Sequence, residues 1–393
     1  MAAEGKAYGV AILTAEAHLE RATWLEIDAD ALEHNIAVWR RLIRSRFMAV
    51  IKGNAYGHGA MGVARFCEQG GVDWFGVATP CEGENLRAVG IEKPILVLSP
   101  TVPAQAGSLV AGRMSCAVTT IEMVRALEGT GAGVHLKVNT GMNRSGLEPE
   151  DVPGFLRAAR SVPGVRIEGI FSHFHSADAI DRLSAYRQFE VFTRLLRGLE
   201  EEGLRPPLAH IANSAAAIDM PETALDMVRI GIGLYGLYPS ENVSRHPNVR
   251  PILSWKARVV EVRRLKPGDA VSYGATFVAE RPTTVALLPV GYADGFRRIL
   301  SNKADVLIRG RRCRVAGRVC MDLTVIDCGD LPVEIGDEAV LIGRQGEEEI
   351  TAEEMAGWQN TINYEVVTQI RERVPRRIVR GASRMEVCTP SDG

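Results

Sequence analysis

Residues 48–69 read MAVIKGNAYGHGAMGVARFCEQ, and this stretch contains the pattern that decides the fold. A short apolar run, Met48–Ile51, leads into a glycine-rich segment that carries Lys52, and an amphipathic run, Met61–Gln69, follows. Apolar runs of this length are typical of strands buried on both faces of a parallel sheet, and the amphipathic spacing predicts a helix. The stretch is therefore predicted to be one strand–loop–helix unit.

The same alternation recurs through the first two thirds of the chain. The further runs predicted as buried strands are Trp74–Ala78, Ile95–Leu98, Cys116–Thr119, Val134–Val138, Ile167–Phe171, Leu208–Ile211 and Met227–Ile230. Helices are predicted at Ala29–Arg44, ahead of the first strand, and between strands, for example at Val152–Ala159 and Ser184–Glu201. Eight β-then-α units over roughly 220 residues favour an α/β fold of the (β/α)8 TIM-barrel type over an open doubly wound sheet.

The character of the sequence changes after about Pro251. Closely spaced β-branched runs, such as Trp255–Val262 and Glu338–Ile342, alternate with turn signals such as Lys266-Pro267-Gly268-Asp269. This pattern predicts a mainly antiparallel β domain, interrupted by two helical pieces near 352–358 and 364–370. We predict a cofactor-binding barrel over residues 24–248 and a β domain over 249–393, against which residues 1–23 could pack.

The composition excludes several classes of protein. The chain has 393 residues and a net charge of −2, and it contains no long basic block of the kind that binds nucleic acid. No apolar run approaches the roughly 20 residues needed to span a bilayer, and the weakly apolar residues 7–14 make a poor signal peptide. Seven scattered cysteines, none in a C-x-x-C pair, favour reduced thiols and a cytoplasmic protein.

Polar residues occupy the carboxyl ends of several predicted strands. They are Lys52, Lys137, Arg144, His173, Asn213, Ser214 and the segment Arg229 to Gly231. In a (β/α)8 barrel these ends converge on one mouth, so we predict a single site there. These residues suggest a site for a phosphate group, an aldehyde and a base, because glycine amides and helix starts at these ends suit a phosphate.

Other site types are disfavoured by what the sequence lacks. His173 and His175 share a face if they lie on a strand, but no carboxylate–cysteine set completes a metal shell around them. No G-x-S-x-G elbow of a hydrolase occurs, and no strand–GxGxxG–helix unit is followed by the acidic residue of a dinucleotide site.

With these residues assembled, the chain resembles the bacterial alanine racemases, a fold-type III pyridoxal-phosphate family, from Thr23 to about Arg377. The most specific match is Lys52-Gly53-Asn54-Ala55-Tyr56-Gly57-His58-Gly59, which resembles the cofactor-lysine signature of that family. Matching segments then follow in the family's order at 210–216, 228–236, 271–277, 291–295, 317–322 and 362–365.

The resemblance implies pyridoxal 5'-phosphate as the cofactor, bound covalently by Lys52. The residues implied to contact the cofactor, mostly at its phosphate, are Tyr56, Asn213, Ser214, Gly231, Ile232 and Tyr364. Arg229 would face the pyridine nitrogen, with His173 supporting it. Most pyridoxal enzymes place a carboxylate at that nitrogen, so an arginine there would suppress transamination.

The resemblance also implies a two-base mechanism in a homodimer with shared active sites. Lys52 and Tyr273 of the partner subunit would exchange the α-proton on opposite faces of the substrate. Arg144 and the backbone N–H of Met321 would lie near the substrate carboxylate, and Lys137, often carbamylated in the family, would steady Arg144. The residues implied to line the access corridor are Asp178, Tyr292, Arg298, Arg318 and Ile362. The implied reaction interconverts L-alanine and D-alanine and supplies D-alanine for peptidoglycan.

Some positions depart from the family pattern or have no role in it. Asn139 stands where many relatives have aspartate, His175 replaces a small residue, and Glu82-Gly83-Glu84 is predicted as solvated surface. The alternatives are a broad-specificity or serine-preferring racemase, or a pyridoxal-phosphate carrier without catalysis. Decarboxylation is disfavoured because a glutamate would be expected at the position of Arg229.

Overall fold

The computed structural model describes residues 21–381 and the backbone of residues 383–388. Its contacts divide the chain into two units. The barrel unit contains residues 28–253 and 362–369, and the sheet unit contains residues 21–27, 254–361, 370–381 and 383–388. The run at 7–14 that we considered as a signal peptide lies outside the described residues.

The described chain begins with strand β1 (Thr23–Asp28) and helix α1 (Ala29–Leu42). The eight strands of the barrel unit are β2 (Arg46–Val50), β3 (Trp74–Val77), β4 (Ile95–Pro100), β5 (Ser115–Val118), β6 (Gly133–Lys137), β7 (Arg166–Phe171), β8 (Leu208–His210) and β9 (Met227–Ile230). They pair in parallel from β8 through β2 to β9. Two backbone hydrogen bonds, from Asp226 N to Ala209 O and from Arg229 N to Ala212 O, connect β9 to β8 and its loop. The predicted barrel is confirmed.

Helices follow the barrel strands as the pattern predicts, and one further helix of this unit, Asn363–Thr368, lies much later in the chain. They are α2 (Lys52–Tyr56, a left-handed turn), α3 (Ala60–Gln69), α4 (Pro80–Ala88), α5 (Ala106–Ala111), α6 (Ile121–Arg125), α7 (Val152–Arg160), α8 (Leu183–Glu201), α9 (Ser214–Asp219) and α11 (Asn363–Thr368). In α8 the buried residues Phe192, Leu196 and Leu199 recur at the helical spacing of three and four. Inside the barrel, apolar side chains such as Met48, Leu96 and Met227 form a fully buried core.

The sheet unit is mainly antiparallel, as predicted. Its remaining elements are β10 (Leu253–Arg258), β11 (Glu261–Leu265), β12 (Ala270–Val271), β13 (Phe277–Val278), β14 (Thr283–Leu288), β15 (Asp305–Ile308), β16 (Arg311–Val315), β17 (Thr324–Gly329), β18 (Glu338–Gln345), β19 (Glu348–Ile350), α10 (Ala352–Gln359), β20 (Arg376–Arg380) and β21 (Ser383–Cys388). Ten of these strands and β1 form one sheet, in the order β11-β14-β17-β16-β15-β18-β10-β1-β20-β21 with β19 on β18, while β12 and β13 form a separate hairpin.

The two units differ from the predicted domains of 24–248 and 249–393 at three places, the first being residues 249–253, which belong to the barrel unit. Residues 362–369 belong to the barrel unit, where Asn363 donates a hydrogen bond to the carbonyl of Tyr238. Strand β1 joins the large sheet between β10 and β20. The positions of residues 362–369 and of β1 both depend on contacts between residues more than 100 positions apart, which local sequence patterns do not report.

No helix in residues 21–381 has the length and apolar character that crossing a membrane requires.

Candidate active site

A cavity of about 500 Å³ opens where the barrel strands run into their following loops. Nearly all the site residues predicted in the barrel unit line it: Lys52, Tyr56, Lys137, Arg144, His173, Asn213, Ser214, Arg229, Gly231, Ile232 and Tyr364. No lining residue among the described ones is acidic, whereas four are lysine or arginine. The cavity is therefore suited to an anionic molecule, and its size is that of a cofactor site.

The remaining predicted residues lie elsewhere. Asp178 and Ile362 belong to the barrel unit but do not line the cavity. Those of the sheet unit are Tyr273, Tyr292, Arg298, Arg318 and Met321. Tyr273 starts a short turn and is 74% exposed, compared with 54% for Met321 and 40% for Tyr292. Their predicted roles stay predictions.

Lys52 follows β2 and begins an unusual turn. Residues 54–56 all have φ between 52° and 55°, a left-handed backbone that costs an L-residue about 1–2 kcal/mol. Gly57 continues the turn and approaches the Val367 carbonyl so closely that a Cβ would lie 2.1 Å from its oxygen. The glycine at position 57 is thus explained by close packing of its backbone against Val367, apart from any role in the cavity.

The carboxylate of Glu82, in α4, holds this turn. Its Oε1 accepts a hydrogen bond from Gly53 N at 2.6 Å, and its Oε2 accepts from Ala78 N at 2.7 Å and Thr79 N at 3.1 Å. Gly83 is buried. The prediction that Glu82-Gly83-Glu84 is solvated surface is therefore wrong for the first two residues, because α4 starts beside the loop that carries Lys52.

The surroundings of Lys52 lower the pKa of its amine. Partial burial at the cavity wall is the largest cause, and the charges of Arg144 and Arg229 add to it. The charge of Glu82 acts in the opposite direction and raises the pKa. A lysine with a lowered pKa has more of the neutral amine that acts as a nucleophile or a base.

Arg229 is buried and lies at the centre of a hydrogen-bond network. Its Nη1 donates to His210 Nδ1 at 2.8 Å, and its Nη2 donates to His173 Nδ1 at 2.9 Å and to two backbone carbonyls. Burial lowers the pKa of Arg229 to about 9, which leaves the group charged at neutral pH. Because a guanidinium has only donors, both histidines must accept at Nδ1 and carry their proton on Nε2.

The network continues into the barrel through residues that sequence reasoning missed. His210 Nε2 lies 3.0 Å from His135 Nδ1, and His135 Nε2 lies 3.9 Å from a carboxylate oxygen of Glu168. Burial, and after it the charge of Arg229, lowers the pKa of His135 to about 3 and that of His210 well below its usual value. Both rings are therefore neutral. The sequence could have indicated His135 by its position, because it lies two residues before Lys137 and therefore on the same face of β6.

One end of the cavity has the donors that a phosphate requires. Ser214 Oγ accepts hydrogen bonds from Gly231 N at 3.1 Å and Gly233 N at 3.4 Å, so hydroxyl and amides converge. A Cβ at Gly231 would lie 2.6 Å from the hydroxyl oxygen of Tyr56, so only glycine leaves this space open. The Tyr364 ring lies 6.1 Å from that of Tyr56. These groups fit the phosphate of pyridoxal phosphate, and Lys52 provides the amine that would bind its aldehyde.

Lys137 and Arg144 also line the cavity. Lys137 is buried, with Nζ 4.5 Å from the centre of the Phe171 ring. Burial lowers the pKa of Lys137 well below its usual value, and the charges of Arg229 and Arg144 lower it further. The Lys137 amine is therefore poised to lose its proton or to be modified.

Asn139 anchors the loop that carries Arg144. Its Oδ1 accepts from Gly141 N and Asn143 N, and its Nδ2 donates to Asn143 Oδ1 at 2.8 Å and Glu148 Oε1 at 2.7 Å. Asn143, immediately before Arg144, is held at φ 56°. An aspartate at position 139 would have neither of these two donors.

The histidines considered as a metal pair separate in the structure. His173 lines the cavity, whereas His175 is exposed and lies next to Ser176 Oγ. In the part of the chain that the structure describes, no group of three His, Cys, Asp or Glu side chains could hold a metal ion.

Comparison with known proteins gives consistent matches along the chain. Residues 27–239 match the family model "Alanine racemase, N-terminal domain", and residues 252–378 match "Alanine racemase, C-terminal domain". The chain is 42% identical to the alanine racemase of Halothermothrix orenii over 91% of this chain and 97% of that protein. It is 46% identical to that of Symbiobacterium thermophilum, with the same shares covered.

Solved structures of alanine racemases also superpose closely on this chain. The alanine racemase of Clostridium difficile superposes with a TM-score of 0.90 at 34% identity, over 94% of this chain and 99% of that one. The alanine racemase of Bacillus anthracis with bound L-Ala-P superposes with a TM-score of 0.90 at 35% identity, over 94% and 98%.

Proposed function

This chain belongs to the alanine racemase family, and on that premise we propose that it interconverts L-alanine and D-alanine with pyridoxal 5'-phosphate, as a homodimer. The single observation that carries the proposal is the cavity in which Lys52 and Arg229 lie together with groups suited to a phosphate and, among the described residues, without an acidic one. D-alanine made in this way would supply peptidoglycan synthesis.

The proposed cofactor site uses groups already described. Lys52 would hold the cofactor covalently, and Tyr56, Ser214 and Gly231 would bind its phosphate, together with Asn213, Ile232 and Tyr364. When bound, pyridoxal phosphate withdraws electron density from the α-carbon of the substrate and makes its α-hydrogen acidic. The protein must then hold the substrate in position and move that proton.

Two bases are proposed to move the proton, one on each face of the substrate. Lys52 Nζ would take or return it on one face, and the lowered pKa of this amine supports a basic role. Tyr273 of the partner subunit would act on the other face through its hydroxyl oxygen. Its 74% exposure supports this role, because the side chain is available to a second chain.

Arg229 is proposed to face the pyridine nitrogen, with His173 fixing its orientation. A guanidinium cannot serve as the carboxylate that would keep a proton on that nitrogen. The α-carbon would therefore be reprotonated quickly, which favours racemisation over transamination. The same feature argues against amino-acid decarboxylation, for which a carboxylate is expected at this position.

Arg144 and the Met321 backbone N–H are proposed to bind the substrate carboxylate. Lys137 is proposed to carry a carbamate, because its lowered pKa provides the neutral amine that attacks carbon dioxide. The resulting negative charge would pair with Arg144. Asp178, Tyr292, Arg298, Arg318 and Ile362 are proposed to line the access corridor, which would decide between alanine and larger substrates such as serine.

The reaction is tested by chiral chromatography of L-alanine and L-serine after incubation with the purified protein and pyridoxal phosphate. Formation of D-alanine well ahead of D-serine is the expected result, whereas equal or greater formation of D-serine would favour the broad-specificity alternative. Binding of the cofactor without any racemisation would favour a carrier protein.

The shared site is tested by subunit mixing. Lys52→Ala and Tyr273→Phe homodimers are each expected to be inactive, whereas a mixed dimer has one cavity with both wild-type groups. Activity should therefore return on mixing, up to the share of intact cavities in the mixed dimers. If exchange of subunits is demonstrated by mass and no activity returns, Tyr273 does not act on the partner's cavity.

A further inference from the structure

Cys313 and Cys328 lie on neighbouring strands of the sheet unit, in positions that face each other. β16 and β17 are antiparallel, and Arg314 lies opposite Asp327. The next pair in the same register is Cys313 and Cys328. Both side chains are on the buried face of their strands, at 4% and 5% exposure.

The hydrogen-bond pattern fixes how close these two residues are. Ala316 N donates to Val325 O at 2.8 Å, which identifies Ala316 and Val325 as a hydrogen-bonded pair. Such pairs alternate along an antiparallel ladder with non-hydrogen-bonded pairs. Three steps further, Cys313 and Cys328 form a non-hydrogen-bonded pair, whose Cα atoms lie about 4.5 Å apart. Disulfides join Cα atoms about 4.4–6.8 Å apart, so these sulfurs can bond without a shift of the strands.

The two thiols also differ in acidity. A hydrogen bond with Cys328 lowers the pKa of Cys313, and the charge of Arg311 acts in the same direction, although burial opposes both. The pKa of Cys328 is raised, first by the same interaction and then by burial. Cys313 is therefore the thiol that ionises first and attacks an oxidant, and Cys328 is the thiol that resolves the product.

We propose that Cys313 and Cys328 form a redox site, at which hydrogen peroxide closes a cross-strand disulfide. The Cys313 thiolate attacks one peroxide oxygen, the O–O bond breaks, and the departing hydroxide takes up a proton to become water. The Cys328 sulfur then attacks the sulfur of the Cys313 sulfenic acid, the S–O bond breaks, and the departing hydroxyl leaves as water with the Cys328 proton. Two thiols are oxidised and one peroxide is reduced to two waters.

The disulfide would close the base of the segment between β16 and β17. That segment contains Arg318 and Met321, which the proposed function assigns to the corridor and to the substrate carboxylate. An effect of oxidation on the reaction, through these two residues, rests on the proposed function, whereas formation of the disulfide does not. Closing a loop of about 15 residues should also make the sheet unit harder to unfold.

The test treats the full-length protein with a small excess of hydrogen peroxide and follows its intact mass. The expected result is a loss of two hydrogen atoms, reversed by dithiothreitol, with a Cys313–Cys328 linked peptide after digestion under non-reducing conditions. The oxidised protein should also have a Tm higher by roughly 5 °C. Linkage through any other cysteine, or recovery of both residues as free thiols while other cysteines are oxidised, would overturn the proposal.

Variants separate the two cysteines from the rest of the chain. Cys313→Ser and Cys328→Ser should each abolish the mass loss. If the Cys313→Ser variant does not fold, Cys313→Ala is measured in its place. Cys320→Ser is the matched control, because Cys320 lies in the same segment but contacts Ser272, and it should leave the disulfide unchanged. An unchanged mass loss in a folded Cys313 variant would also refute the assignment.

Discussion

Replacing Glu82 with glutamine should loosen the turn that carries Lys52. The carboxylate accepts three backbone N–H groups with two oxygens, whereas the glutamine amide has one oxygen and an NH2 group that must face a donor. At least one charge-assisted hydrogen bond is lost, which is worth about 1.5–3 kcal/mol in a protected site. Because Glu82 is only half-buried, we expect a decrease of about 1–2 kcal/mol in the free energy of unfolding.

The strain in the turn makes this loss important for Lys52. Ala55 and Tyr56 in left-handed conformation raise the energy of the native turn by about 2–4 kcal/mol, which the contacts of the turn must offset. The pKa of Lys52 should also fall further in the variant, because the Glu82 charge is the group that raises it. A lower pKa means that Lys52 loses its proton, and becomes reactive, at a lower pH than in the wild type.

Both effects can be measured on the cofactor-free protein. Thermal unfolding reports the stability, and the pH dependence of Lys52 acylation, read from the modified peptide by mass spectrometry, reports the pKa. Glu84→Gln is the matched control, since it removes the same charge two residues away on the same helix. The reasoning fails if the Glu82 and Glu84 variants have the same Tm and the same pH midpoint for Lys52.

Three further predictions concern the cavity. Arg229→Glu should open a transamination side reaction, detected as pyruvate formed from alanine; an unchanged ratio of pyruvate to D-alanine would mean that Arg229 does not face the cofactor ring. Asn139→Asp should lower kcat/KM about 30-fold, because two hydrogen bonds of about 1 kcal/mol each are lost. Activity should partly recover at low pH or when Glu148→Gln is added. No recovery in either case would mean that the contact between residues 139 and 148 does not support the activity. Lys137 should show a carbamate signal in 13C NMR with labelled bicarbonate, and Arg144→Ala should weaken that signal; a plain amine in the wild type would refute the modification.

The sequence predicted the parts of this fold that depend on local pattern. Apolar runs of four or five residues identified all eight barrel strands, because a strand buried on both faces needs a continuous apolar run. The strand ends then predicted Lys52, His173, Ser214 and Arg229 as one site, since parallel strands place their carboxyl ends together.

What could not be predicted depends on contacts between distant residues. Glu82 forms a capping box with Thr79, which the local sequence could have indicated, but its contact with the loop of Lys52, 29 residues earlier, could not be predicted. The left-handed turn at 54–56 has the same origin, because Ala55 and Tyr56, unlike Asn54, do not favour that backbone without neighbours to hold it. His135 and His210 were missed because a lone histidine on a buried strand gives no sign of its partner.

The position of Arg229 at the head of the histidine chain determines where protons can travel. A proton wire requires every member to accept on one side and donate on the other, and a guanidinium cannot accept. The imidazoles of His210 and His135 behind Arg229 therefore cannot conduct a proton from the cavity, although they lie within hydrogen-bonding distance of each other. Under the proposed mechanism, a proton taken from the substrate cannot cross the barrel interior along this row. Exchange of label with solvent is therefore expected to follow access at the cavity mouth.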